Sequence, residues 1–203
     1  MKSLNNYISE RLNPRNLGSD TLPRELKEKY KLIYNPGTGR YDCDRNIDVE
    51  DDLIENGHFI CNFGIIKGFF DCSGCDNLTS LQGAPREVDG YFDCSECNDL
   101  ESLEGAPKKI DGCFYCDSCK NLTSIEGASE EVGKDFTCVG CKNLASIEGA
   151  PRKVGRDFIC VGCDNLESLE GAPEEVVRHF NCSSCPKLND YNINTKIGGR
   201  FIK

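Results

Sequence analysis

Tryptophan is absent from the 203 residues, methionine occurs once and histidine twice, and no run approaches the roughly 20 apolar residues that a membrane span needs. No membrane association is expected. A chain with only His58 and His179, and without a Ser-His-Asp spacing, HExxH, a glycine-rich phosphate loop or a paired-carboxylate motif, lacks the parts of a catalytic constellation. The expectation is a non-enzymatic protein with no catalytic residues, no metal and no cofactor, and with His179 as a solvated surface group. The opening MKSLNNYISERLN lacks the apolar centre of a secretory signal. That points to the cytoplasm, a reducing compartment where cysteines stay as thiols or hold metal. At 38% hydrophobic and 29% charged residues, the chain is too lean for a thick, many-layered core.

What the chain does have is acid and sulfur. The net charge is −10 and there are 15 cysteines, an odd number that cannot pair completely within one chain. Residues 1–45 carry nine Lys/Arg against six Asp/Glu, whereas residues 46–203 carry 15 against 28. So acidic a stretch is a poor match for phosphates, and direct nucleic-acid binding is not expected.

A 22-residue unit dominates the sequence. FDCSGCDNLTSLQGAPREV begins at Phe70 and returns from Phe92, Phe114, Phe136 and Phe158; a decaying copy starts at Phe180 and a degenerate one ends at Ile66. Phe70, Cys72, Leu78, Leu81, Ala84, Val88 and their equivalents are the predicted core. Phe70 and Cys72 are two apart, the spacing that shares one face of a strand, and Gly-Ala-Pro bars a regular helix. A single coil cannot bury its own apolar face, so the coils must stack on one another. The expected fold is mainly β, a solenoid with one short parallel strand per coil, preceded by a small α-helical cap. Residues 1–45 form the cap or leader and 46–203 the solenoid, divided into a degenerate first coil (46–67), regular repeats (68–177) and a C-terminal capping coil (178–203). Within the leader, Leu4, Tyr7, Ile8 and Leu12 fit one face of a helix starting near Ser3, LPRELKEKYKLI fits a second helix, and YNPGTGRYD reads as a turn. The leader serves as a cap over the open end of the stack or as a docking peptide.

These motifs resemble the leucine-rich repeat family, in particular the short cysteine- and asparagine-containing forms of bacteriophage and bacterial proteins. The family pattern LxLxxN/C falls on Phe70, Cys72 and Cys75, and the next family leucine on Leu78. Leu78 lies three residues after Cys75 where the family has two, and Gly83 and Pro85 stand where a helix is common. The resemblance covers residues 45–198 and implies a display scaffold that binds a protein, of the host or of a virus. Anti-defence inhibition is one form that such binding takes. The resemblance is silent on biochemistry, because the scaffold hosts many activities.

Six CxxC pairs, from Cys72/Cys75 to Cys182/Cys185, have the spacing of zinc knuckles. Regularity argues instead for a packed, reduced ladder, since discrete zinc sites would pair coils in twos. Zinc, disulfides and a redox role stay open at this level. Cys113 occupies a variable position just before the strand and is expected to be the most accessible thiol, while Cys43 and Cys61 are expected to be buried.

If the ladder is invariant, specificity must lie where the repeats differ. The outward strand positions read Asp71, Asp93, Tyr115, Thr137, Ile159, Asn181 and Ser73, Ser95, Asp117, Val139, Val161, Ser183. Joined by Phe69 and Tyr91, they predict a partner-binding face of Phe69, Asp71, Tyr91, Asp93, Tyr115, Asp117, Val139, Ile159 and Val161, acidic and aromatic at one end and apolar at the other. The competing readings are an acidic nucleic-acid mimic that blocks a nucleic-acid-binding protein, and a zinc or redox solenoid. Glu104, Glu126, Glu148 and Glu170 form a solvent-facing stripe. The chain is expected to be a monomer, or a dimer formed by stacking of solenoid ends.

Overall fold

In each regular coil the strand is confined to the buried phenylalanine and the residue after it, because the turn begins two residues further on. The computed structural model describes residues 20–203 and has this form. Helix α1 (Arg24–Tyr30) is followed by β1 (Ile33–Asn35), β2 (Arg40–Cys43), β3 (Ile47–Asp48), β4 (Ile54–Glu55), β5 (His58–Phe59) and β6 (Phe63–Ile66). From there the strands come two to a coil: β7 (Phe70–Asp71) and β8 (Glu87–Val88), β9 (Phe92–Asp93) and β10 (Lys109–Ile110), β11 (Phe114–Tyr115) and β12 (Glu131–Val132). They continue as β13 (Phe136–Thr137), β14 (Lys153–Val154), β15 (Phe158–Ile159), β16 (Glu175–Val176), β17 (Phe180–Asn181), β18 (Lys196–Ile197) and β19 (Phe201–Ile202).

The solenoid of 22-residue coils is as expected, but each coil contributes two strands rather than one. One sheet, ordered β3-β7-β9-β11-β13-β15-β17-β19, turns the phenylalanines inward; the other, β1-β2-β6-β8-β10-β12-β14-β16-β18, turns the valines inward. We call them the phenylalanine sheet and the valine sheet. The second was missed because Glu87-Val88 holds a single apolar residue, too short for an alternation to show.

Register follows the repeat, with Phe92↔Phe114↔Phe136↔Phe158 and Val88↔Ile110↔Val132↔Val154 all parallel. Phe70 through Phe180 are buried, their ring centroids 4.8–5.8 Å from the next coil's. The spacing stretches to 23 residues at Ile47↔Phe70 and contracts to 21 at Phe180↔Phe201, so the stack runs past residue 198 to a last strand that the repeat period did not foretell.

Glycine of the Gly-Ala-Pro turn is required sterically. Gly105 has φ +93°, and a Cβ there would lie 2.7 Å from the backbone of Leu81 in the coil before. At Ser129, which stands where other coils have proline, the buried hydroxyl donates to the Pro107 carbonyl.

The described part of the leader is only partly helical. The helix expected over LPRELKEKYKLI is confined to α1, with Pro23 as N-cap and Lys31 ending it at φ 56°. β1 and β2 then form an antiparallel hairpin around the expected Asn-Pro-Gly turn, and β2 pairs in parallel with β6, so the valine sheet starts before residue 45. α1 is tied to the first coil: Lys29 pairs with Glu50 and Asp52, each at 2.8 Å, the Tyr30 hydroxyl donates to Asp52, and the Cys43 thiol donates to the Tyr30 carbonyl. The helix expected near Ser3 lies outside the described residues.

Candidate functional site

The cysteines are accounted for inside the stack. All fifteen are buried thiols. From the second pair on, the second cysteine reaches back one coil: Cys97 donates to the Cys72 carbonyl at 3.1 Å, Cys119 to Cys94 at 3.2 Å, Cys141 to Cys116 at 3.1 Å, Cys163 to Cys138 and Cys185 to Cys160 at 3.2 Å each. The first reaches forward, Cys72 to the Asp93 carbonyl at 3.1 Å and Cys116 to Thr137 at 3.2 Å. The backward bonds go to carbonyls just past the strands, while the forward ones share the Asp93 and Thr137 carbonyls with the backbone N–H of the same cysteine. Burial pushes the Cys75 thiol up to about 12 and that of Cys182 up to about 11, and it raises Cys94, Cys116 and Cys160 well above the ordinary value. Metal ligation and redox chemistry both use the thiolate, which burial disfavours at these five positions, whereas the bond with Cys138 lowers Cys163. Among the described residues no group of three or more His, Cys, Asp or Glu is placed to hold a metal ion.

Cys113 is not the exposed thiol that its variable position suggested. It is only 8% exposed, with its sulfur 3.6 Å from Asp135 Oδ2 and beside the Tyr115 hydroxyl. A small side chain in a row between Tyr91 and Asp135, with neighbours about 4.8 Å away on each side, is covered by them. His179 also differs from expectation: half-buried, it accepts the Arg200 backbone N–H on Nδ1 at 2.9 Å and helps hold the last coil.

The nine predicted face residues share the outer side of the phenylalanine sheet, all half-buried by their neighbours in adjacent coils. Phe69 stacks on Tyr91 at 4.6 Å and 10°, and Tyr91 meets Tyr115 at 6.0 Å. Asp71, Asp93 and Asp117 line this aromatic run, and among the described residues none of the three is in an ion pair. Val139, Ile159 and Val161 continue the face toward the C-terminus. Thr137, between Tyr115 and Ile159, is buried at 7% exposure rather than outward and open.

Part of the acidity is structural. Asp71 Oδ1 accepts the Ser73 N–H at 2.9 Å and Asp93 Oδ1 that of Ser95 at 2.8 Å, as Asx turns do. Where Tyr115 and Thr137 replace the aspartate, the orphaned N–H turns to the preceding coil: Asp117 donates to Ser95 Oγ at 3.1 Å and Val139 to Asp117 Oδ1 at 2.7 Å. The second oxygen of Asp71 is met by the Tyr91 hydroxyl at a long 3.4 Å. Burial raises Asp93 and Asp117 above the usual carboxylate range, and with no cation paired to them among the described residues their ionised form is held at a cost.

The valine sheet presents a different exterior, which the sequence reading overlooked. Its outward column runs Glu87, Lys109, Glu131, Lys153, Glu175, Lys196 in register. Lys153 and Lys196 both pair with Glu175, at 3.2 and 3.0 Å, and Arg152 joins Glu131 to Glu174. Glu175 is lowered by Lys196 and Lys153. The stripe of Glu104, Glu126, Glu148 and Glu170 is exposed as expected, and at Glu126, Glu148 and Glu170 the backbone N–H donates to the serine two residues before at 2.9–3.0 Å.

No protein-family model matches the chain, and neither the curated proteins nor the solved structures contain a match to it. Among the described residues no helix is long and apolar enough to cross a membrane.

Proposed function

We propose that the chain is a non-enzymatic protein-binding solenoid that grips its partner along the outer face of the phenylalanine sheet. One observation carries this reading. A stacked aromatic run bordered by carboxylates without basic partners among the described residues passes into Val139, Ile159 and Val161, while the opposite sheet neutralises its own charges. Aromatic rings are enriched at interface centres and polar groups form the rim around them.

The finer identity proposed is a leucine-rich-repeat-like protein of the bacteriophage type, acting in the host cytoplasm on a host or viral protein, with inhibition of a defence protein as one form of the role. Reduced thiols in the core suit that compartment.

A second reading, an acidic mimic of nucleic acid, is favoured by the carboxylates of Asp71, Asp93 and Asp117 on one face. Ionic strength separates the two: a mimic loses affinity steeply with salt and apolar docking does not.

The test is capture of partners from bacterial lysate in reducing buffer by three proteins: the full chain, the triple variant Val139→Ser, Ile159→Ser, Val161→Ser, and a chain lacking residues 1–15. A partner held by the full chain and released by the triple variant, with unchanged circular dichroism, supports the face. A partner retained by the triple variant and lost with residues 1–15 moves the site to the leader.

A further inference from the structure

Outside the phenylalanine sheet, the feature with most chemistry is a groove of about 770 Å³ at the junction of the first, irregular coil with the regular ones. It lies between the β4–β5 hairpin, which contributes His58 and Phe59, and the turn Gly83-Ala84-Pro85; Arg40, Arg86 and Lys108 complete the charged lining. Among the described residues no aspartate or glutamate lines it, in a protein of net charge −10. By contrast, the groove beside Val49 and Cys75 is lined by Glu50, Asp51 and Asp52.

The cations have a register. Arg86 and Lys108 immediately precede β8 and β10, whose pairing Glu87↔Lys109 makes them neighbours in adjacent coils about 4.8 Å apart. The coil before contributes Gly64 to this column, bonded through its carbonyl to the Arg86 N–H at 2.8 Å; the Asp42 carboxylate covers Gly64 and accepts the Ile65 N–H on Oδ1 at 2.8 Å, so the free part of the groove lies at Arg86 and Lys108. Beyond Gly64 stands Arg40, anchored by a bond from Nη1 to the Phe63 carbonyl at 2.7 Å. Further along, the same column reads Glu130, Arg152, Glu174, and there Arg152 is engaged by acids. Lys108 has no ion pair among the described residues, and the contact of Arg86 with the adjoining Glu87 is long, at 3.7 Å.

We propose that this groove is an anion site that takes a small phosphorylated molecule. A guanidinium fork and an ammonium one strand apart match a multiply charged tetrahedral anion with several acceptor oxygens better than they match one carboxylate. The apolar part of the lining is the half-buried Ala106 with the largely covered Phe59 and Pro85, a small contact for the body that bears the phosphate. The site is separate from the proposed protein-binding face and does not depend on it.

Isothermal titration of the full chain with inorganic pyrophosphate at low ionic strength tests the site, with Arg86→Glu, Lys108→Glu and Lys108→Gln as variants. Lys142→Glu, an exposed lysine elsewhere, controls for net charge. Saturable binding is expected, weakened at least about tenfold by either reversal, less by Lys108→Gln, and unchanged by Lys142→Glu. Absence of saturable binding, or equal weakening by Lys142→Glu, overturns the proposal; thermal melts confirm that the variants are folded. Flotation with phosphatidylcholine vesicles doped with phosphatidic acid distinguishes the source. Lys108-dependent flotation together with pyrophosphate binding assigns a lipid headgroup, and pyrophosphate binding without flotation assigns a free metabolite.

Discussion

The two sheets stand on the same core and obey the same register, yet their exteriors solve the charge problem in opposite ways. On the valine sheet the outward column alternates Glu and Lys, so every acid has a base one strand away, and Glu175 is lowered by its lysines. On the phenylalanine sheet Asp93 and Asp117 have no such neighbour and are raised by burial. Directly opposed opposite charges are the cross-strand pairing that stabilises a sheet, whereas desolvated acids without cations detract from it. One exterior matches its own charges, and the other leaves its acids without basic partners among the described residues.

Breaking the shared core should affect both exteriors together. Phe114→Ala, at the fully buried middle of the ladder, is expected to cost about 3–5 kcal/mol in urea unfolding, and Phe201→Ala, half-buried at the end, distinctly less. Equal costs would mean that cohesion does not come from stacking between coils. Gly105→Ala forces a side chain onto a φ of +93° and against the Leu81 backbone, with an expected cost of about 2 kcal/mol.

The remaining predictions act on one face at a time. Glu131→Lys puts a third lysine between Lys109 and Lys153 in the valine column and removes the Arg152 pair, so a loss of about 0.5–1 kcal/mol is expected at low salt, shrinking as salt is added. A loss that persists in high salt would show that the alternation is not what the column contributes. Asp93→Asn keeps an acceptor for Ser95 and removes a carboxylate whose folded pKa is raised. A raised carboxyl lowers stability above its folded pKa and has no effect below the unfolded one, so the variant should be stabilised at neutral pH, by no more than about 0.5 kcal/mol, with the gain vanishing in acid. Carboxyl NMR titration checks the same contrast, with Asp93 and Asp117 above the ordinary carboxylate value and Glu175 below it.

Much of this was legible in the residues. The return of Phe-x-Cys-x-x-Cys every 22 positions demanded stacking, and the phenylalanine, cysteine, leucine and valine positions of the predicted core are buried in every regular coil. Only the alanine is less covered, buried at Ala84 and half-buried at Ala106, Ala128, Ala150 and Ala172. Of the nine residues picked as outward, Asp71, Asp93, Tyr115 and Ile159 are the half-buried second residues of β7, β9, β11 and β15, and the other five flank such strands. The alternating Glu and Lys of REV, KKI, EEV, RKV and EEV were in plain view. Their meaning depends on those dipeptides being adjacent strands, and one valine per coil carries no period to announce a strand. Cys113 was misjudged for a related reason: a variable position says nothing of how large its neighbours one coil away are.

Composition and period alone decide that this chain must be a stack of coils, because a 22-residue unit with six apolar side chains can hide them only against copies of itself. Which groups outside the core are neutralised, which thiols are covered and where a groove opens are decided by contacts between residues some 22 positions apart. Those contacts exist only once the coils are in register, since charge compensation and burial depend on distance in space and not on distance along the chain.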